Sequence, residues 1–142
     1  MPLSPTRNAD PDSEINALAA ELIEAASTVH QYLGPGFQET VYLDAMCIEL
    51  GYRGVPFMRQ VPVNLVYRGM PVGEGLVDLY VGRRIICGLK AVDELTEVHE
   101  AQMQSFLRMT GCKLGMIFNF TVADIREGIV RVTPSSQIAN AA

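Results

Sequence analysis

Between Leu50 and Phe57 the apolar residues change period, and that change restricts what this chain can fold into. Upstream they follow helical spacing, at Ile15, Leu18, Leu22, Ala26, Val29 and Leu33. Asp12 or Ser13 caps that helix, and Gly34-Pro35-Gly36 stops it. A second helix is expected from about Gln38 to Leu50, with Val41, Ala45 and Ile48 inward and Gly51 as its stop. Downstream, Phe57 to Tyr67 alternates and is rich in β-branched residues, which is strand chemistry. Pro62 lacks an N–H, so this strand belongs at an edge or carries a bulge.

Arg68-Gly69 and Gly82-Arg83 are turn signals. They divide the region into Phe57–Tyr67, Met70–Val81 and Arg84–Lys90, an antiparallel meander. Thr96 caps a third helix over Glu97–Thr110, closed by Gly111, with Val98, Met103, Phe106 and Leu107 inward. Leu114 to Phe120 is almost wholly apolar, as a strand buried on both faces requires. Ile125 to Val132, with Gly128, is expected as the last strand. The order ααβββαββ predicts an α/β sandwich around one mixed sheet of about five strands, with the third helix as a crossover.

The chain has 142 residues, 49% apolar and 19% charged, which suits one globular domain with a real core. Residues 1–12 are expected as a flexible arm, 13–133 as the domain and 134–142 as a loose tail. No apolar run approaches the about 20 residues that span a bilayer. The polar, Pro-containing start MPLSPTRNADPDS lacks the apolar core of a signal peptide, so no membrane association and a cytoplasmic location are expected.

Cys47, Cys87 and Cys112 are odd in number and widely spaced, which disfavours disulfide and thiolate-metal frameworks. His30 and His99 are the only histidines, and His99 near a helix start reads as a packing or capping residue. The net charge of −5 disfavours attraction to nucleic acid, although local basic patches around Arg53, Arg59, Arg83 or Arg84 stay open.

Chemistry concentrates in IICGLKAV, Ile85–Val92. Alternation along the strand puts Gly88 and Lys90 on one face and Leu89 on the other. Asp78 lies near the end of the preceding strand. A carboxylate on one strand beside an acid-x-lysine on its neighbour is the layout of a metal-dependent nuclease. Two carboxylates hold Mg²⁺, the metal activates water, and the lysine steadies the transition state. Here the second carboxylate is missing.

GFQETVY at Gly36–Tyr42 reads G-x-x-E-x-x-Y. With RQVPV at Arg59–Val63, VDLYV at Val77–Val81, LKAV at Leu89–Val92, HEAQ at His99–Gln102 and TGCKLGMIFNF at Thr110–Phe120, the chain resembles the bacterial GxxExxY protein family over about residues 14–132. That family lies within the PD-(D/E)XK nuclease superfamily, which implies its α/β nuclease-like fold. The resemblance also implies that Asp78 is the metal-binding aspartate and Glu39 the additional acidic residue. It puts the E-x-K motif on Gly88-Leu89-Lys90, and makes Gln102 the polar residue that positions lysine or substrate.

Three positions depart from the family pattern. Gly88 stands where the motif glutamate is usual, Leu76 where arginine is common, and Phe106 where tyrosine is common. Together they imply a pseudoenzyme: a nuclease fold that no longer cuts, needs no cofactor, and acts as a binding or self-assembling module. Homo-oligomers or an extended assembly, through the crossover helix or an unpaired sheet edge, are the expected partners. The alternative is an active Mg²⁺- or Mn²⁺-dependent DNA or RNA nuclease with a migrated carboxylate, Glu39 first, with Glu74 or Glu94 behind it. Nucleic-acid binding without cutting is the third possibility. Lys90 is expected to pair with Asp78 or Glu39 in place of a metal.

Overall fold

The computed structural model of the chain describes residues 11–135. Helix α1 runs Pro11–Leu33 and helix α2 Glu39–Tyr52. Asp12 and Glu14 in the first turn of α1 complement the helix dipole. The helix starts inside the segment expected as an arm. The remainder of that arm, and the tail from residue 136, lie outside the described residues.

Ile15, Ala19, Leu22, Ala25, Ala26 and Val29 form the buried stripe of α1. Gly34, at φ 74°, ends it and returns its N–H to the His30 carbonyl at 2.7 Å. Helix α2 continues past Gly51, contrary to expectation. Gly54 takes the left-handed position instead (φ 73°), after Arg53 has capped the helix through Glu49.

The faces of α2 are also reversed from the sequence reading. Tyr42, Leu43, Met46 and Leu50 are buried, whereas Val41 and Ile48 face outward. Both stripes are apolar at helical spacing, so periodicity alone could not choose between them. Tyr42 decides the matter, because its ring needs a deep site and finds one against Phe120.

Five strands form one sheet in the order β1-β2-β3-β4-β5. They are β1 (Phe57–Tyr67), β2 (Met70–Val81), β3 (Ile85–Lys90), β4 (Leu114–Asn119) and β5 (Ile129–Val132). Only β3 and β4 run parallel, and helix α3 (Glu97–Thr110) makes the crossover between them. β1 is an edge strand, as Pro62 requires, and its register shifts at Leu65/Val66. The β2–β3 ladder is short: Leu79–Val81 pair with Ile85–Cys87, and the rest of β2 pairs with β1 alone.

Helices α1 and α2 cover one sheet face, where Leu22, Met46, Leu79, Leu89 and Phe118 form the larger core. Each such side chain contributes about 1.5–3 kcal/mol by leaving water. Helix α3 covers the other face with Met103, Phe106 and Leu107 against Val77, Ile86 and Ile117. All six residues of β4 are buried between the layers.

Two expectations fail locally. Val98 is 75% exposed, because it lies in the first turn of α3, beside the Thr96 cap and ahead of the residues that meet the sheet. The segment Ile125–Gly128 is a 3₁₀ turn rather than strand, so β5 is only four residues long. Asp124 starts that turn by accepting from the Arg126 N–H at 3.1 Å. Gly128 then packs on the Asn119 carbonyl with no space for a side chain. Among the described residues, no helix is long and apolar enough to cross a membrane.

Candidate functional site

The site forms where β2 and β3 part. Ladder pairing stops at Leu79 and Cys87, which leaves the Leu89 N–H without a strand partner. Asp78 supplies one: its Oδ2 accepts from the Leu89 N–H at 2.7 Å. Beyond that bond a cavity of about 50 Å³ opens between β2, β3 and α3. Asp78, Gly88, Lys90, His99, Gln102 and Phe106 line it. The volume is room for roughly one or two waters.

Four of the five positions singled out from sequence therefore share one cavity: Asp78, Gly88, Lys90 and Gln102. As alternation required, Gly88 and Lys90 face it while Leu89 points into the opposite core. Glu39 lies outside, at the N-terminus of α2. Its Oε2 accepts from the Ala91 N–H at 3.2 Å, one residue beyond Lys90. Leu76, at the position of the missing arginine, is exposed at the cavity rim. Phe106 packs against Gly75, which has no room for a Cβ.

The G-x-x-E-x-x-Y segment acts as a clamp. Gly36 sits at φ 111°, a conformation that favours glycine. Tyr42 is fully buried and stacks on Phe120 with ring centroids 4.5 Å apart. Its hydroxyl donates to the Gly34 carbonyl at 2.6 Å and accepts from the Phe37 N–H at 3.2 Å. Tyr42 thus fixes the corner between α1 and α2, and Glu39 ties that corner to the end of β3.

Two supporting residues carried no functional expectation. Asn119 is buried at the end of β4, where its amide donates to the Val92 carbonyl at 2.9 Å. Its Oδ1 accepts from the N–H groups of Val92 and Thr121. It holds the chain that leaves Lys90. A lone amide within LGMIFNF was the available signal, because a buried amide must be satisfied. His99 caps α3 by accepting the Thr96 N–H on Nδ1 at 3.0 Å. That leaves Nε2 as the protonated nitrogen of the neutral ring.

Burial pushes the Asp78 carboxyl above its usual range. The Leu89 N–H and the charge of Lys90 pull it back, and Glu39 pushes it up again. Lys90 acts on Asp78 through space: among the described residues it makes no ion pair within 4.0 Å. The expected contact pair is therefore not formed. Burial also raises the Cys87 thiol, as befits an inert core residue.

The donor set does not fit a divalent metal ion. Among the described residues Asp78 is the only carboxylate that lines the cavity, one of its oxygens is taken by Leu89, and the Lys90 side chain shares the space. Glu39 is engaged at Ala91. Among the described residues, no group of three or more His, Cys, Asp or Glu side chains is placed to hold a metal. Arg53, Arg59, Arg83 and Arg84 give no phosphate-binding rim either. Arg53 pairs with Glu21, Glu24 and Glu49, Arg59 with Asp44, and Arg84 with Glu14. Arg83 lies at the β2–β3 turn, away from the cavity.

A five-stranded mixed sheet between helices, with an aspartate and a lysine where two strands part, defines an α/β nuclease-like protein. The PD-(D/E)XK nuclease superfamily model matches residues 16–132, and the chain belongs to that superfamily. No curated protein matches the sequence. Among solved structures, the chain is similar to an alkaline exonuclease (LHK-Exo) from Laribacter hongkongensis, at 12% identity and a TM-score of 0.49, over 94% of this chain and 75% of that one.

Proposed function

We propose that this chain is a GxxExxY-type member of the superfamily that has lost cleavage and acts as a binding or assembly module. One observation carries the reading: the residue that faces the cavity between Asp78 and Lys90 is Gly88, so the cavity has one carboxylate. A phosphodiester nuclease of this class needs a metal to activate water and to offset charge on the phosphate. Asp78 and Lys90 remain, but as a carboxylate that caps backbone and an ammonium that offsets its charge. Leu76 and Phe106 add apolar surface where polar groups would contact substrate.

The G-x-x-E-x-x-Y clamp supports the narrower assignment, because Gly36, Glu39 and Tyr42 each have a distinct structural role. Self-assembly is supported by the β1–β2 ribbon, which runs on past the β2–β3 ladder and exposes Val66, Tyr67, Met70, Val72 and Leu76. Sedimentation velocity of the full chain tests this, since a monomer at all concentrations contradicts it.

One observation favours a second reading. Glu39 Oε2 is held at the Ala91 N–H, one residue beyond Lys90, and its charge acts on the Asp78 carboxyl. If Glu39 turned from Ala91 towards Asp78, two carboxylates would face one Mg²⁺ or Mn²⁺ ion, and an active nuclease would result. Cleavage assays on single- and double-stranded DNA and RNA separate the readings. An inactive module leaves all four intact, whereas a migrated carboxylate gives cutting that Glu39→Gln abolishes.

A further inference from the structure

The outward stripe of α2 is Val41, Ile48 and Tyr52, spaced seven and four residues apart, with Ala45 partly buried between them against the core. That is the spacing of a helix-packing seam. Yet Ile48 is 74% exposed and Tyr52 88% exposed. Beside them Tyr32 of α1 stands 90% exposed. Between the two helices runs a groove of about 540 Å³, floored by Val29, Leu33 and Ala45 and flanked by Tyr32, Ile48 and Glu49. An apolar groove edged by exposed aromatics marks a binding surface.

The charge around it selects the occupant. Glu21, Glu24 and Glu49 share one guanidinium, Arg53, which also donates to the Thr28 hydroxyl in the groove wall. That end therefore carries excess negative charge on side chains that reach solvent. A second copy docked groove to groove would bring no lysine or arginine from its own lining to meet that charge. We propose that the α1–α2 groove docks a basic amphipathic helix of a partner protein, with apolar residues on the floor and lysine or arginine against the acidic end. The groove lies on the opposite sheet face from the Lys90 cavity, so this inference does not depend on whether that cavity cuts.

The probe is a fluorescein-labelled Leu/Lys peptide of about five helical turns, with leucine at i, i+3, i+4 and i+7. A matched peptide carries glutamate in place of lysine. Fluorescence anisotropy with the full chain should show binding of the lysine peptide, weakened by salt, and none of the glutamate peptide. The uncharged double variant Tyr32→Ser/Ile48→Ser should weaken binding at least about tenfold. Both side chains are exposed, and circular dichroism confirms that the variant folds. Equal affinity for the two peptides, or unchanged affinity in the double variant, overturns the proposal. A dimer of the native chain that the same double variant dissociates also overturns it, because the groove would then hold a second copy.

Discussion

The Asp78 carboxylate stands in for a strand: its Oδ2 accepts the Leu89 N–H at 2.7 Å where β2 no longer runs beside β3. Removing it should therefore affect folding more than any chemistry. Asp78→Ala leaves that N–H without its partner and should cost about 1–3 kcal/mol in denaturant unfolding. Asp78→Asn keeps an acceptor and should cost less.

The pH dependence of that comparison has a definite sign. Burial raises the folded-state pKa of Asp78 above its unfolded value. The folded chain therefore holds the proton more tightly, and ionisation of Asp78 lowers stability as pH rises from the unfolded value through the folded one. Asp78→Asn removes this loss. Its stability relative to the native chain should improve as pH rises through that interval and level off above it. Urea titrations at a series of pH values check the slope, and the opposite slope would show that Lys90 and Leu89 outweigh burial.

Tyr42→Phe keeps the stack on Phe120 but leaves the Gly34 carbonyl and the Phe37 N–H without the hydroxyl. The expected loss is about 1–2 kcal/mol, read from the denaturation midpoint. Tyr42→Ala also empties a fully buried ring site and should lose about 3–5 kcal/mol. If Tyr42→Phe were neutral, the hydroxyl would not be what clamps the α1–α2 corner.

Asn119→Ala should cost about 2–3 kcal/mol or more, because three hydrogen bonds from one buried amide are lost together. Hydrogen exchange at Val92 and Thr121 should accelerate in the variant. Unchanged exchange at both amides would contradict the role of Asn119 in holding the segment after Lys90.

The parts of the fold legible in the sequence are those where one physical rule acts alone. Alternation placed Gly88 and Lys90 on one face, and Thr96 and Gly111 bounded α3 as their cap chemistry required. Pro62 marked the edge strand. Where two rules compete, the reading failed. Val41 and Ile48 share helical spacing with the stripe that is actually buried, and only the volume of Tyr42 decides between the faces. Ile125–Gly128 has strand-like composition, but Asp124 and the close approach of Gly128 to Asn119 impose a turn. The cavity was legible as a set of residues. Its wiring was not, because Asp78 to Leu89 and Glu39 to Ala91 are contacts between distant side chains and backbone.

The most direct test of lost cleavage is a nuclease assay with Mg²⁺ or Mn²⁺ on the native chain, Gly88→Glu and Lys90→Ala. A Cβ at Gly88 would meet only Lys90 Cε and Met103 Cε, both at 3.8 Å, so Gly88→Glu starts from ordinary contact distance. A silent native chain, a silent Lys90→Ala and cutting by Gly88→Glu are the expected results. Cutting by the native chain, lost in Lys90→Ala, would contradict them and show that the cavity is still a nuclease site.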